Sequence, residues 1–437
     1  MYKTLTAPLS VHLEVNTACN QKCRHCYNFW REKQPDLDMV ITEDLTRKVI
    51  NQLASLRVFH VILNGGEPPI NFERLIFVMR ELKQKGITFS LNSNLTLVTL
   101  RMAEELKKEG LRTVLTSLMS YKPATHDFLA NHRESFEKVT QGIKNARMAN
   151  LRVAVNMVVS KPNLYHIEQT GRLAKNLGAF AFSATRVMPP RLSEMFDANL
   201  VLGTSEVQEI VTAMLRLRDT GLQLDSLVPY PACFFEKLEE YELLGGRTCS
   251  AGKTSLAIAA DGSVRTCPHH EKVYGTIVQE ELSSIWLKMT SWRDGSLLPP
   301  ACLSCRLLPQ CGGGCRVSLI GDIIGQDPIM AQEKAQIFSV PKNRSVSVRM
   351  TPLSMFRIRK ICRFRNDKEI GVVNTGGIKN TFVTVETMDV LQKLHASQVA
   401  LTPLELQAAF GISMDKDEYS RFLAELVRRE VAEILPS

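Results

Sequence analysis

A chain of 437 residues is long enough for two or three domains, and its 44% hydrophobic and 23% charged residues are those of an ordinary globular protein. No run approaches the ~18 consecutive apolar residues of a membrane span, and the start, Met1–Pro8, has no apolar core of the secretory type, which together point to a cytoplasmic protein. The formal charge of +9 is concentrated: residues 342–368 hold nine Lys or Arg against Asp367 alone, a net +8, so that an acidic partner or a solvated basic linker is expected there.

The first half alternates short apolar runs with amphipathic stretches. Strands are predicted at Val11–Val15, Phe59–Leu63, Thr88–Asn92, Thr113–Ser117, Arg152–Val159 and Phe180–Thr185. Helices are predicted at Glu43–Leu56 and at Phe72–Lys85, the second stopped by Gly86. Alternation of this kind predicts a parallel sheet with right-handed crossovers, and six units make an α/β partial (β/α)6 TIM-like barrel with its chemistry at the C-terminal strand ends. Past Cys249 helices become scarce while Gly, Pro and Cys become frequent. So loop-rich a segment needs bound metal for stability. Val340–Thr351 reads as a linker. Beyond it, strands Phe356–Phe364, Ile370–Val373 and Phe382–Val385 precede helices Glu386–His395, Pro403–Phe410 and Lys416–Ile434, the outline of a winged-helix-like α+β domain. The expected division is 1–215, 216–335 and 336–437.

Eleven cysteines in a reducing compartment argue for metal or redox chemistry rather than disulfides. Cys19, Cys23 and Cys26 follow the first strand directly, which puts three soft thiolates at the mouth of the barrel. Three thiols leave one iron of a cubane open to an outside ligand. The alternative is a zinc knuckle, for which the nearest spare ligand, His25, adjoins Cys26 too closely.

The Cys-x3-Cys-x2-Cys run, followed after the second strand by Gly65-Gly66-Glu67-Pro68, resembles the radical S-adenosylmethionine (SAM) superfamily. The resemblance implies a [4Fe–4S] cluster whose open iron takes the amino and carboxylate groups of SAM. Reductive cleavage then gives a 5′-deoxyadenosyl radical that abstracts hydrogen from a substrate. Gly65 and Gly66 would let the backbone approach the ligand, and Glu67 would hold the SAM ammonium. Further SAM contacts are implied at Tyr27, at Asn94, where Leu95 replaces the family's usual glycine, and at Ser117, where Met119 stands in place of a frequent Asp.

Cys249, Gly262-x4-Cys267 and Cys302-x2-Cys305-x5-Cys311-x3-Cys315 resemble the SPASM extension, which carries auxiliary Fe–S clusters; a structural zinc ribbon is the competing reading. By family analogy Cys249, Cys267 and Cys315 share one cluster, and Cys302, Cys305 and Cys311 the other. The family's seventh cysteine is missing, since the stretch that should hold it reads Gly325–Met330. Asp327 is a candidate oxygen ligand of the second cluster, and for the first the alternatives are completion by Cys233 or an iron left open for substrate. Cys362 reads as a buried apolar residue.

The last unit resembles the peptide-recognition domain of ribosomal-peptide maturation systems, which binds a leader peptide as an added strand. A DNA-binding winged helix is the rival, disfavoured because Pro403–Phe410 has no Lys or Arg and carries Glu405. The combination implies a radical SAM enzyme acting on a precursor peptide, with a flavodoxin- or ferredoxin-type electron donor and no membrane or nucleic-acid partner. An anaerobic sulfatase-type maturase and an Fe–S or zinc DNA-binding sensor are the alternatives. No residue marks a second hydrogen donor; Tyr121, Cys233 and Tyr274 are the guesses.

Overall fold

The computed structural model describes residues 5–30, 38–188, 196–244, 246–317, 327, 329–330, 351, 353–411 and 416–435. The expected linker Val340–Thr351 lies outside them except for Thr351. The chain divides into two compact units, Met1–Ser339 and Val340–Ser437.

The first unit is built on one ten-stranded sheet. Its parallel strands are β1 (Ser10–Asn16), β2 (His60–Gly65), β3 (Thr88–Asn92), β4 (Thr113–Ser117), β5 (Arg152–Val159), β6 (Ala181–Arg186) and β7 (Gln223–Asp225), paired in chain order. Strands covered on both faces read as continuous apolar runs, and Val11, Leu13, Val15, Val61, Leu63 and Val114 are wholly buried. Helices α1 (Glu43–Ser55), α2 (Phe72–Gln84) and α3 (Leu100–Lys108) provide the first three crossovers. Thr42 and Thr99 cap α1 and α3 by accepting the N–H of Leu45 and Met102, at 3.2 and 3.3 Å. Gly86 ends α2 in the left-handed conformation, as its position predicts.

The sheet does not stop where the sequence pattern stops. Strand β8 (Ser255–Ile258) runs parallel to β1 on its other side, with Ser10 opposite Ser255 and Leu13 opposite Ile258. Strands β9 (Ser263–Arg265) and β10 (Val273–Thr276) continue antiparallel. Four-residue strands amid glycines and cysteines give too little periodicity to be read beforehand. A buried ion pair crosses this seam: the Arg265 guanidinium on β9 bonds the Glu14 carboxylate on β1 and donates to the Pro268 carbonyl at 3.2 Å. Burial pushes the Glu14 carboxyl up, and Arg265 pulls it back down.

The second unit differs from its expected outline in two places. Phe356–Phe364 is not one strand but two, β11 (Met355–Ile358) and β12 (Arg363–Asn366), in different sheets. The turn between them lets Cys362 join the buried core with Phe356, Leu391, Leu406 and Leu423. The last helix ends at Arg428, and β15 (Ala432–Leu435) then pairs antiparallel with β11. Strands β12, β13 (Gly371–Gly376) and β14 (Lys379–Val383) form a separate antiparallel sheet. The fold also pairs part of the basic run. Arg357 bonds Glu433, Arg359 bonds Glu430, and Arg365 bonds Asp367, the first two acids arriving from the chain terminus. Lys342, Arg344 and Arg349 lie outside the described residues.

Arg265→Met leaves the Glu14 carboxyl buried without its partner. It should cost about 3–5 kcal/mol of unfolding free energy in denaturant titrations, and the double variant Glu14→Gln/Arg265→Met should recover more than half of that loss.

Candidate functional site

The C-terminal ends of β1, β2 and β3 converge on one loop, residues 17–28, which carries Cys19, Cys23 and Cys26, all half-buried. Side chains from four directions hold it. Thr17 accepts the Met39 N–H at 2.8 Å. Asn20 donates to Thr96 at 2.8 Å and accepts from Asn94 at 2.9 Å. Gln21 donates to the buried Ser135 hydroxyl at 2.7 Å. Arg24 donates to the Phe128 carbonyl at 3.0 Å and lies over the Phe128 ring.

The Gly65-Gly66-Glu67 turn docks on the start of this loop. Gly66 N–H donates to the Asn16 carbonyl at 2.9 Å and Glu67 N–H to the Ala18 carbonyl at 2.7 Å. A Cβ on Gly65 would stand 2.2 Å from the Asn16 carbonyl oxygen, and one on Gly66 2.0 Å from that of Ala18. The glycines therefore admit the close approach of the cysteine loop. Glu67 is almost wholly buried, and both carboxylate oxygens are engaged, one by the Ser93 hydroxyl and one by the Asn94 N–H at 2.8 Å. Burial pushes its pKa up to about 7 against the pull of those two donors. Asn94 also accepts from Thr96, N–H and hydroxyl, which closes the turn. Leu95, at the family's glycine position, takes a left-handed φ of 59° and is buried. Ser117 ends β4, opposite Asn156 of β5.

Tyr27 does not face an open mouth. Its ring stacks on His269, with centroids 4.0 Å apart and planes within 6°. Burial first, then the negative charges of Cys26, Glu14 and Cys267, raise its hydroxyl pKa. Tyr27 thus belongs to the first cysteine loop and touches the loop of Cys267.

The later cysteines fall into two groups. Cys267 is raised by burial and by its neighbours Cys249 and Cys315, and Cys315 by burial, Cys249 and Asp327. The Cys315 N–H donates to Asp327 at 3.3 Å, and Asp327, buried, is ion-paired with Arg186 at the end of β6. Cys302 is raised by burial and then by Cys311, Cys233 and Cys305, to about 11. Ala232 N–H donates to Cys311 Sγ at 3.2 Å. Of the two extra donors named from the sequence, Asp327 lies beside Cys315, and Cys233 follows the residue whose N–H bonds Cys311. The cause is topological. The short turn Ala232–Phe234 packs on Cys311, while the segment after Cys315 returns to β6. Among the described residues no three His, Cys, Asp or Glu side chains converge on a position for a single metal ion, and no disulfide joins any cysteine. The donors are thiols in separate sets of three or more, the chemistry of polynuclear iron–sulfur ligation. At the strand ends, Asn16 Oδ1 and Asn64 Oδ1 are buried with no bonding partner among the described residues, a polar lining that suits a polar ligand. Of the guessed hydrogen donors, Tyr274 accepts from Trp292 Nε1 at 2.8 Å and Tyr121 packs edge-on to His166.

The radical SAM superfamily pattern matches residues 13–174, and the SPASM iron–sulfur cluster-binding domain matches residues 249–306. The AdoMet-dependent heme synthase of Methanosarcina barkeri is 25% identical over 75% of this chain and 97% of its own length. The PqqA peptide cyclase of Bradyrhizobium diazoefficiens is 25% identical over 75% of this chain and 87% of its own. The crystal structure of Streptococcus suis SuiB bound to its precursor peptide SuiA superposes with a TM-score of 0.58 at 18% identity, covering 76% of this chain and 77% of that one, a likeness of fold.

Gly66→Ala should displace the Ala18 carbonyl and with it the cysteine loop. Iron analysis after anaerobic reconstitution should show loss of about four irons per chain, one cubane, with the auxiliary iron retained. For Glu67 the folded pKa of about 7 exceeds the ordinary 4.5, so the group's contribution to stability falls as pH rises from 4.5 to 7 and is level above. Denaturant titrations at pH 5 and pH 8 should show Glu67→Gln gaining on wild type by up to about 3 kcal/mol at the higher pH.

Proposed function

The chain belongs to the radical SAM superfamily and carries a SPASM iron–sulfur domain, and from that premise we propose that it modifies a ribosomally made precursor peptide by abstracting hydrogen from one of its residues. Cys19, Cys23 and Cys26 would hold the first [4Fe–4S] cluster, and the polar groups at the ends of β1–β4, among them Asn16, Asn64 and Ser117, would line the place of SAM. Bound there, the cluster supplies the electron for SAM cleavage, and SAM supplies the hydrogen-abstracting group. The protein's part is to fix the loop and exclude water. The Gly66, Glu67 and Asn94 hydrogen bonds join three strand ends into one rigid floor. Cys249, Cys267 and Cys315 hold one auxiliary cluster, and the Cys302, Cys305 and Cys311 set the other. A flavodoxin- or ferredoxin-type donor in the cytoplasm supplies the electron.

The observation that carries the peptide reading is the second compact unit, with its own core and a three-stranded sheet whose outer strands β12 and β14 each pair on one side only among the described residues. An open edge takes a peptide as an added strand. With Arg357, Arg359, Arg365 and Lys379 already paired internally, recognition rests on backbone hydrogen bonds and on side chains such as Phe382 more than on an acidic leader. Functionally the chain works as three parts, 1–215, 216–335 and 336–437. The sequence likeness to the PqqA peptide cyclase supports the reading. The likeness to the heme synthase favours a second one, modification of a heme precursor, for which unit two would be dispensable.

Reduced, iron-loaded protein should convert SAM to 5′-deoxyadenosine, measured by liquid chromatography, and Cys26→Ala should not. Truncation after Ser339 should leave that cleavage within about two-fold but lower modification of a leader-bearing precursor by more than about ten-fold, ~1.4 kcal/mol of binding. Truncated protein that modifies its substrate undiminished would decide for the second reading.

A further inference from the structure

The SPASM pattern of this chain lacks one thiol, and no cysteine lies between Cys315 and Cys362 to replace it. Ten cysteines belong to the first compact unit. Three form the loop after β1, three gather around Cys315, and three around Cys302. Cys233 is the tenth.

Its position is set by a short turn, Ala232–Phe234, which follows the buried Tyr230 and precedes helix Leu238–Leu244. The turn is anchored on the Cys302 group itself: the N–H of Ala232 donates to Cys311 Sγ at 3.2 Å, next in the chain to Cys233. Gly313 N–H donates to the same sulfur at 3.3 Å. Two backbone donors on one sulfur are the environment of a ligating thiolate, which they stabilise and orient. The other members are gathered locally. Cys305 N–H donates to the Cys302 carbonyl at 3.1 Å, so that these two thiols leave one turn, and Cys311 ends the short helix Leu308–Cys311. Gly312, Gly313 and Gly314 all take positive φ, which turns the chain away from Cys311 towards Cys315 and so divides the two groups.

We propose that Cys233 is the fourth thiolate of the Cys302, Cys305 and Cys311 iron–sulfur site, supplied from the segment before the SPASM motif in place of the missing cysteine that would follow it. The inference rests on the reading of that region as cluster-binding. It has a functional corollary. Four protein thiolates close every iron of a cubane, so this cluster relays electrons or stabilises the fold and offers no iron to substrate. Any substrate-binding auxiliary iron belongs to the Cys249, Cys267 and Cys315 site.

The test compares Cys233→Ala, Cys302→Ala and Cys362→Ala in the full-length protein, reconstituted anaerobically, by iron, sulfide and zinc analysis and by Mössbauer and electron paramagnetic resonance spectra. Wild type should hold about twelve irons per chain, three cubanes. Cys233→Ala and Cys302→Ala should each lose up to about four of them, or leave a three-iron cluster signal. Cys362→Ala should lose none. Cys233→Ser, which keeps a ligating oxygen, should retain the iron with an altered spectrum. Retention of the other two clusters in each variant reports that the chain is folded. Iron lost in Cys302→Ala but fully kept, with unchanged spectra, in Cys233→Ala overturns the assignment of Cys233 alone. Zinc at this site, or no iron lost in Cys302→Ala, overturns the cluster reading of the region and the assignment with it.

Discussion

Strand β1 is paired on both sides, with β2 on one and β8 on the other. That double pairing sets the geometry of everything chemical in the first unit. A strand at the edge of a sheet leaves the loop at its end free to swing. Here the loop of Cys19–Cys26 leaves a strand flanked by two neighbours, each of which carries functional residues of its own. The β2 loop brings the two glycines and Glu67. The β8–β9 hairpin brings Arg265 and, just beyond it, Cys267. The Glu14–Arg265 pair and the Tyr27–His269 stack then cross the same seam. Three independent contacts between segments far apart in sequence fix the first cysteine loop relative to the first auxiliary group.

Within the mouth, polar side chains are used to join loops before they are used on any ligand. Glu67 spends both oxygens on the turn after β3, and Asn94 spends its amide on Asn20. The arrangement costs something: a carboxyl held near neutrality in a dry site, and a leucine in a left-handed conformation that an L residue enters at about 1–2 kcal/mol. Its return is a floor with little freedom left, on which a cofactor meets backbone already in place.

Much of this was legible from sequence. Six parallel strands could be read because their buried apolar residues recur at short, regular intervals between amphipathic helical stretches. The cysteine groups could be read because metal ligation constrains spacing more tightly than packing does. The short strands β7 and β8 could not, having three and four residues with no period to find. The division of Phe356–Phe364 into two strands depends on a turn at Arg359–Cys362 with no Gly or Pro to mark it, and β15 follows the last helix after only three residues. The apparent basic patch was misleading for the same reason that charge counts often are, since Glu430 and Glu433 lie far along the chain and return only in the fold. The surroundings of Cys233 and Asp327 could not be read because each depends on a contact made only in the fold, the Ala232 turn on Cys311 and the Asp327 pair with Arg186.

The pairing of Leu13 with Ile258 also has a consequence for how the protein is made. At ribosomal speeds of ~5–20 residues per second, roughly 10–50 s separate the emergence of β1 from that of β8. Through that interval the outer edge of β1 has no neighbour, while β2 to β7 are already able to assemble on its other side. An open strand edge is a template for association with other chains. The nascent barrel is therefore most vulnerable late in synthesis, and the segment that rescues it is the hairpin leading into the auxiliary cysteines. Completion of the barrel and arrival of the second metal-binding region are one event on the ribosome.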